Sequence, residues 1–298
     1  SSKPADSDRS YTLIRDEPGK GSIMPDTAAE ADVILDVQSL RKVYQTGGTS
    51  LEAVRDLTFQ VRRGELVCIV GPSGAGKTTL LRGIAGLLEL TSGEVKLNGK
   101  KVSGPPVGMA VVFQDYARSL FPWMTVYQNV ERPLKEKRMP ASERRRKVLE
   151  ALEAVSLSDS AKAYPWQLSG GMQQRVAIAR AVAYEPSILV MDEPFAAVDA
   201  QTRAELEDLV RRLWKRLEMT VLFVTHDIDE SVYLGKRVLV LSNRPTIIAE
   251  DITIGLPEER SQLETRSLPL FAELRSHVYA MIQEAKANTT GTIRTARP

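Results

Sequence analysis

The chain contains very little cysteine and histidine for its length. Its 298 residues include one cysteine, Cys68, and two histidines. One cysteine excludes an internal disulfide, and so few nitrogen and sulfur ligands argue against a structural zinc site. Because Cys68 lies inside the apolar run LVCIV, we expect a buried strand residue and not a nucleophile.

Long apolar runs and a strong charge imbalance are also absent. The longest fully apolar runs, Leu66 to Val70 and Met109 to Phe113, are five residues each, whereas a membrane-spanning helix needs roughly 20. The N-terminal residues lack the apolar core of a secretory signal, which predicts a chain that stays in the cytosol. Forty basic and 38 acidic residues leave a net charge of +2, which argues against a dedicated nucleic-acid binder.

What remains is the composition of an ordinary globular protein, 43% hydrophobic and 26% charged. Residues 1–32 mix Ser, Pro, Asp, Gly and Lys without a sustained period, which indicates a flexible leader. The residues from about Lys286 onwards are polar and indicate a tail. We therefore predict a main domain over 33–256 and a C-terminal helical extension with a polar tail over 257–298.

The apolar pattern predicts an α/β fold. Apolar residues alternate with polar ones over 33–37 and 57–61, as in half-buried strands of an antiparallel subdomain. The runs 66–70, 188–191 and 221–224 are continuously apolar, as are strands covered by helices on both faces. Together these patterns predict a parallel core sheet and a separate antiparallel β subdomain.

Two further stretches have helical character. Residues from about 117 to 180 predict a helical subdomain, with Ser142 as an N-cap within it. Leucine and valine recur at helical spacing over 206–217, which predicts an amphipathic surface helix. Glu207 and Arg211 fall on its outer face, four residues apart, where they are expected to pair.

A phosphate-binding loop follows the first continuous strand. The motif G-x-x-x-x-G-K-[ST] is matched by Gly71-Pro72-Ser73-Gly74-Ala75-Gly76-Lys77-Thr78, with Thr79 next in the chain. In this strand-loop-helix context, backbone N–H groups and the helix N-terminus bind phosphate oxygens. The lysine balances the β- and γ-phosphate charge, and the threonine hydroxyl can bind Mg²⁺. ATPases, kinases and GTPases share this loop, so other residues must decide among them.

Polar residues follow the other continuous strands. Asp192 and Glu193 end the run 188–191, where Asp192 can hold Mg²⁺ and Glu193 can polarise an attacking water. His226 ends the run 221–224, from which an imidazole could reach a γ-phosphate. Gln114 follows 109–113, and its amide could contact Mg²⁺ or the water. The interpretation for all of these positions is an ATP and Mg²⁺ site.

A second glycine-rich helix start carries the family resemblance. Leu168-Ser169-Gly170-Gly171-Met172 closely resembles the LSGGQ signature that separates ABC ATPases from other P-loop proteins. Ser169, Gly170 and Gly171 precede a helical pattern and would form a second anion-binding site. The resemblance implies a P-loop ABC ATPase fold, in which each ATP lies between the P-loop of one subunit and the signature of another. It therefore implies a homodimer.

The same resemblance assigns roles to single residues. Tyr44 is similar to the aromatic residue that stacks on adenine, and Gln114 to the Q-loop glutamine that joins Thr78 and Asp192 at Mg²⁺. Glu193 corresponds to the catalytic base and His226 to the switch histidine. Asp199 resembles the D-loop aspartate that contacts the opposite site, although the loop reads AAVD where the family has SALD.

The segments 120–126, 129–130 and 241–245 resemble the nitrate, sulfonate, taurine and bicarbonate importer subfamily. That resemblance implies an ATP-hydrolysing importer subunit, bound peripherally at the cytoplasmic face of the inner membrane to permease subunits. An extracytoplasmic solute-binding protein would belong to the same system without touching this chain. Trp123, within 120–126, could contact the permease or pack in the lobe core.

Two alternatives stay open from the sequence. A soluble ABC protein acting on RNA or DNA would use the same ATP clamp, but such proteins usually carry paired ATPase units or long insertions. A regulatory module without turnover would need a broken catalytic set, whereas Lys77, Asp192, Glu193 and His226 are all present.

Overall fold

The computed structural model describes residues 32–47, 49–115 and 119–291. The predicted leader, apart from Asp32, and the last predicted tail residues, 292–298, lie outside this range. The strands, in chain order, are β1 (Val33–Thr46), β2 (Thr49–Arg62), β3 (Leu66–Val70), β4 (Ser92–Leu97), β5 (Lys100–Lys101), β6 (Met109–Val112), β7 (Ile188–Asp192), β8 (Val221–Thr225), β9 (Arg237–Leu241) and β10 (Ile248–Thr253).

The described part of the chain has one helix after β3, three consecutive helices between β6 and β7, helices that alternate with strands as far as β9, and two at the C-terminal end. They are α1 (Lys77–Ile84), α2 (Val126–Glu136), α3 (Ala141–Ala154), α4 (Gly170–Ala183), α5 (Ala200–Arg216), α6 (Ile228–Leu234), α7 (Glu264–Ser267) and α8 (Pro269–Gly291), with 3₁₀ turns at Ser158–Ser160 and Pro165–Gln167. Within the described ranges, no helix has both the length and the apolar character needed to cross a membrane.

The strands form two sheets, as the apolar pattern predicts. The antiparallel sheet has the order β2-β1-β4-β5, with Val37 opposite Phe59. The second sheet has the order β10-β9-β3-β8-β7-β6, in which every neighbouring pair is parallel except β9 and β10. The strand order reverses direction at β3, so the loop after β3 lies at the point where such sheets bind ligands.

Strand β3 separates two apolar cores. Leu66, Cys68 and Val70 pack with the helical side of the molecule, while Val67 and Ile69 face a core shared with the antiparallel sheet. All five side chains are fully buried. Burial raises the pKa of the Cys68 thiol well above its usual range, which fits the expected packing role.

The predicted helical stretch of about 117–180 contains α2, α3 and most of α4, which ends three residues later at Ala183. Helix α2 begins at a capping box in which Thr125 and Gln128 satisfy each other's backbone N–H groups. The prediction of Ser142 as an N-cap is wrong, because α3 begins one residue earlier, after Pro140. Proline suits that boundary because its fixed φ and missing N–H favour the entry to a helix.

The outer face predicted for α5 is also corrected by the structure. Glu207 and Arg211 are 2% and 7% exposed, and they do not form the expected pair. Glu207 instead pairs with Arg266 at 2.8 Å, and Arg211 donates to the carbonyls of Leu234 and Glu258. Two of these partners, Arg266 and Glu258, belong to the C-terminal extension, which therefore covers part of a helix face that is polar in sequence.

Candidate nucleotide site

The candidate site lies where parallel strands end. Carboxyl ends of neighbouring parallel strands meet at one edge of a sheet, and a pocket of about 390 Å³ opens there. Its lining comes from the loop after β3 and from the residues that follow β7, β8 and β9. The lining residues are Ser73, Gly74, Ala75, Gly76, Lys77, Thr78, Thr79, Glu193, His226 and Arg244.

The loop after β3 has the backbone that an anion cradle requires. Gly74 and Gly76 have φ of 80° and 75°, a left-handed conformation that glycine adopts without strain. Gly76 is the N-cap of α1 and makes no side-chain cap bond, so the first N–H groups of that helix are not capped by a side chain. The sequence-predicted phosphate loop therefore has the geometry of one.

Lys77 is held inside this loop. Its Nζ donates to the carbonyls of Gly71 and Pro72 at 2.9 and 3.1 Å, and its side chain is 6% exposed. Burial lowers the pKa of Lys77, while the neighbouring Glu193 carboxylate, 3.6 Å from Nζ, opposes that shift. The ammonium is thus positioned by backbone carbonyls before any phosphate binds.

Glu193 and His226 form a connected pair at the pocket wall. His226 Nδ1 lies 2.9 Å from Glu193 Oε2, a distance at which the imidazole donates to the carboxylate. Glu193 has φ of 43°, which is left-handed and strained for a residue with a side chain. The strained turn after β7 places the carboxylate between the Lys77 ammonium and the imidazole.

The three predicted Mg²⁺ ligands do not all line the pocket. Thr78 lines the pocket, whereas Asp192 is 6% exposed at the end of β7. Burial, and then the charge of Glu193, raises the pKa of Asp192 to about 6. Gln114 is exposed, two residues after β6, and is not among the lining residues.

The donor set fits Mg²⁺, which prefers oxygen ligands and is usually held by one or two carboxylates together with substrate phosphates and water. Thr78 and Asp192 offer a hydroxyl and a carboxylate. Among the described residues no cluster of three histidine, cysteine or acidic side chains could hold a metal alone. A site completed by nucleotide phosphates is consistent with that finding.

Tyr44 lies at the rim next to the pocket. Its hydroxyl is 3.3 Å from Thr79 Oγ1, and its ring is partly buried. The Lys42 ammonium lies 5.2 Å from the ring centroid, a cation–π contact. These contacts place an aromatic ring beside the last residue of the phosphate loop, and adenine stacking on it stays a prediction.

The predicted signature and D-loop residues do not line this pocket. Ser169 is the N-cap of α4 and accepts from Met172 N at 3.3 Å. Asp199 is the N-cap of α5, accepting from Thr202 N at 3.0 Å and from its hydroxyl at 2.7 Å. A Cβ on Gly171 would come within 2.5 Å of Thr202, so the two helix starts touch. They form a second polar surface outside the pocket.

The sequence reasoning missed Arg244 as a site residue. It follows β9, the fifth strand that ends at this edge, and it lines the pocket beside Lys77 and His226. The signal available in the sequence was its position three residues after the apolar run 238–241, which is another continuous buried strand.

The comparisons with known proteins agree with this geometry. A family model described as ABC transporter matches residues 54–196. The nitrate import ATP-binding protein NrtD of Synechocystis sp. is 44% identical over 239 residues, 80% of this chain and 89% of that protein. The taurine import ATP-binding protein TauB of Jannaschia sp. is 38% identical over 256 residues, 85% of this chain and 94% of that protein.

Solved structures show the same fold. An ATP-binding cassette in a dimeric post-hydrolysis state, bound to ADP and Pi, superimposes with a TM-score of 0.66 and 34% identity. It covers 74% of this chain and 99% of the solved chain. The cbiO1 protein of Clostridium perfringens gives a TM-score of 0.68 at 29% identity, covering 74% of this chain and 89% of its own.

Proposed function

The chain belongs to the ABC transporter family as an ATP-hydrolysing subunit, and we propose that it powers uptake of a small oxyanion through a separate membrane permease. The observation that supports this most is the joint placement of Lys77, Glu193 and His226 in one pocket with the phosphate loop. Those groups supply phosphate binding and water activation at the same place.

We assign the roles from the contacts. The loop from Gly71 to Thr79 binds the phosphates through its backbone N–H groups, and Lys77 balances their charge. Glu193 accepts a proton from the attacking water, since it is the carboxylate that faces the pocket. His226, bonded to that carboxylate, fixes its orientation and contacts the terminal phosphate. Tyr44 stacks on the adenine.

ATP hydrolysis implies Mg²⁺ as the metal ion. Thr78 and Asp192 are the oxygen donors that fit it, and we propose the amide of Gln114 as a third ligand. When bound, the ion would neutralise charge on the phosphate oxygens during transfer. Asp192 must be ionised to bind Mg²⁺, and its burial works against that ionisation. We infer that the site binds nucleotide and ion together, because each lowers the cost of burying the other's charge.

We propose that two copies of the chain complete each site. The start of α4, formed by Ser169, Gly170 and Gly171, lies at the surface. None of these residues lines the pocket that holds Lys77 and Glu193. In the proposed dimer, this helix start of one copy covers the phosphate bound in the pocket of the other copy, and Asp199 lies at the same interface. The dimeric state of the cassette in the solved neighbour supports this arrangement.

The contact with the permease is proposed at an exposed aromatic loop before α2. Trp123 is 70% exposed and contacts Phe121 with ring centroids 5.6 Å apart. The fully buried Asn129 fixes this loop, because its amide accepts from Phe121 N and donates to the carbonyls of Phe121 and Met124. A large apolar side chain on a rigid loop is suited to receive a partner helix.

The solute is proposed from the relatives alone. They are named as nitrate, aliphatic sulfonate and taurine import proteins, and nitrate and sulfonate groups are small oxyanions. We place this chain at the cytoplasmic face of the membrane, with an extracytoplasmic binding protein that selects the solute. The solute would not contact this chain.

Affinity purification from gently solubilised membranes of the source cell, followed by mass spectrometry, tests the proposal. We expect a multi-helix permease and an extracytoplasmic binding protein to be recovered with the chain, and that binding protein to bind nitrate or a sulfonate. Ribosomal or DNA-associated proteins without a membrane protein would instead support a soluble ABC protein.

A point variant localises the contact. Trp123→Ala should lose the permease while retaining ATP binding. Leu263→Ala provides the matched control, because Leu263 is 83% exposed on the C-terminal extension and plays no part in the proposed contact. Loss of the permease from both variants, or from neither, would contradict docking at Trp123.

A further inference from the structure

Arg244 is the one cationic side chain besides Lys77 that lines the described part of the phosphate pocket. Its Nε donates to the Gly74 carbonyl at 2.5 Å, although the two residues are 170 positions apart in the chain. The guanidinium also lies over the loop, with one Nη 3.8 Å from the position that a Cβ on Gly74 would occupy. Arg244 therefore contacts the turn of the phosphate loop while it lines the same pocket.

The segment that carries Arg244 is fixed to the site. Thr246 is fully buried, and its hydroxyl contacts the carbonyls of Ala53 and Ala75. Its backbone N–H and carbonyl bond to Ala53 and Arg55 of β2. The loop after β9 is thus joined both to the antiparallel sheet and to the phosphate loop, so Arg244 is held near its position at little further entropy cost.

Within the part of the chain that the structure describes, the charge of Arg244 is not neutralised by an acidic side chain. No carboxylate among residues 32–47, 49–115 and 119–291 forms an ion pair with it. Lys77, by contrast, has Glu193 at 3.6 Å. Because Nε already donates to Gly74, the two terminal nitrogens of the guanidinium are left to bind an anion side by side.

We propose that Arg244 binds the terminal phosphate of ATP and is a second cation of the site alongside Lys77. The pocket that it lines also holds Glu193 and His226, the residues placed for the γ-phosphate. The hydrogen bond to Gly74 orients the guanidinium, and the unpaired charge supplies the affinity. This proposal rests on the nucleotide site and is independent of the solute and the permease.

The test compares binding of a non-hydrolysable ATP analogue and of ADP to the purified full chain with Mg²⁺, by isothermal titration calorimetry. Arg244→Ala should weaken analogue binding about 10- to 100-fold, the range for losing a charged hydrogen bond. ADP binding should weaken by less than about threefold, since ADP lacks the group that Arg244 binds. Arg146→Ala, an exposed arginine of α3 outside the pocket, is the charge-matched control and should change neither.

Two further variants separate charge from support of the loop. Arg244→Lys keeps the charge and should recover part of the analogue affinity, whereas Arg244→Gln keeps only a donor for the Gly74 carbonyl and should not. Recovery by glutamine alone, or equal losses for ATP analogue and ADP, would overturn the proposal in favour of a structural role. Failure of the wild-type chain to bind either nucleotide would instead contradict the nucleotide site itself.

Discussion

The chain contains two glycine-rich helix starts that differ in nearly every physical respect. The start of α1 has no side-chain cap and is surrounded by buried charged groups, Lys77 and Asp192 among them. The start of α4 is capped by its own Ser169 and is exposed to solvent, as is Gly170. These differences fit the proposal that the first start binds phosphate within its own chain and that the second completes the site of another copy.

The two helix starts also differ in the chemical groups around them. Both starts can attract an anion through the helix dipole, but only the first has a carboxylate, an imidazole and a lysine in contact. We therefore expect variants at the two starts to fail differently. Changes around α1 should stop hydrolysis of the ATP bound by the same chain. Changes at α4 should stop hydrolysis of the ATP bound by the other copy.

The largest expected effect is at Glu193. Glu193→Gln keeps the side-chain shape and removes the base, so the ATPase rate should fall by about 10²- to 10⁴-fold. ATP binding should persist, and the variant should elute as a dimer in ATP during size-exclusion chromatography. Steady-state ATPase assays check the rate, with Glu136→Gln on the exposed surface of α2 as control. Equal rates for Glu193→Gln and the wild type would refute the assignment.

Mixing two inactive variants tests the division between the helix starts. Lys77→Ala disables the phosphate loop, and Gly170→Asp places a carboxylate at an exposed position where the other copy's phosphate would bind. Each variant alone should be inactive. A one-to-one mixture should recover about a quarter of the wild-type sites, because half of the dimers then hold one intact pair. Failure to recover activity, despite mixed dimers detected by mass spectrometry, would contradict shared sites.

A buried acid outside both helix starts should make the stability of the fold depend on pH. Glu230 in α6 is 4% exposed, and burial, followed by the charges of Glu207 and Asp227, raises its pKa to about 8. Between its usual 4.5 and about 8, the folded state holds a proton that the unfolded state has released. The free energy of unfolding should therefore fall as pH rises through this window, by at most about 1.4 kcal/mol per unit from this group.

Urea unfolding at pH 5, 7 and 9 checks this expectation, using Glu230→Gln as the variant that cannot ionise. Relative to wild type, it should gain stability as pH rises from roughly 5 to 9, since it is neutral throughout. Parallel pH curves for the variant and the wild type would show that Glu230 is not responsible.

The smallest effect is expected at Asp199, which belongs to the exposed second region. Asp199→Ala removes the N-cap of α5 and should cost about 0.5 to 2 kcal/mol of stability. That loss should lower the Tm by about 2 to 4 °C per kcal/mol in calorimetry. Asp199→Asn retains a capping oxygen and should melt like the wild type. If it also loses ATPase activity, the carboxylate acts across the interface and not only as a cap.

Much of the fold was predictable because its signals are local. Apolar and polar residues alternate in β1 and β2 because one face of these strands is buried. The run of β3 is continuously apolar because both of its faces are covered. One error was local, because the helix begins after Pro140 and Ser142 is therefore not its N-cap. The other error arose from distant parts of the chain. Glu207 and Arg211, polar and therefore assigned to the outside, are buried and bond to Arg266 and Glu258 of the C-terminal extension.

The phosphate loop follows from the sequence alone, since strand, glycine-rich turn and helix are consecutive and their backbone geometry depends on near neighbours. The sequence also determined which strands end in an acid or a histidine. The bond of Glu193 to His226, the contact of Gly171 with Thr202 and the bond of Arg244 to Gly74 become visible only in the folded chain. Those contacts depend on how strands are ordered and helices packed, which brings together residues that no local pattern connects.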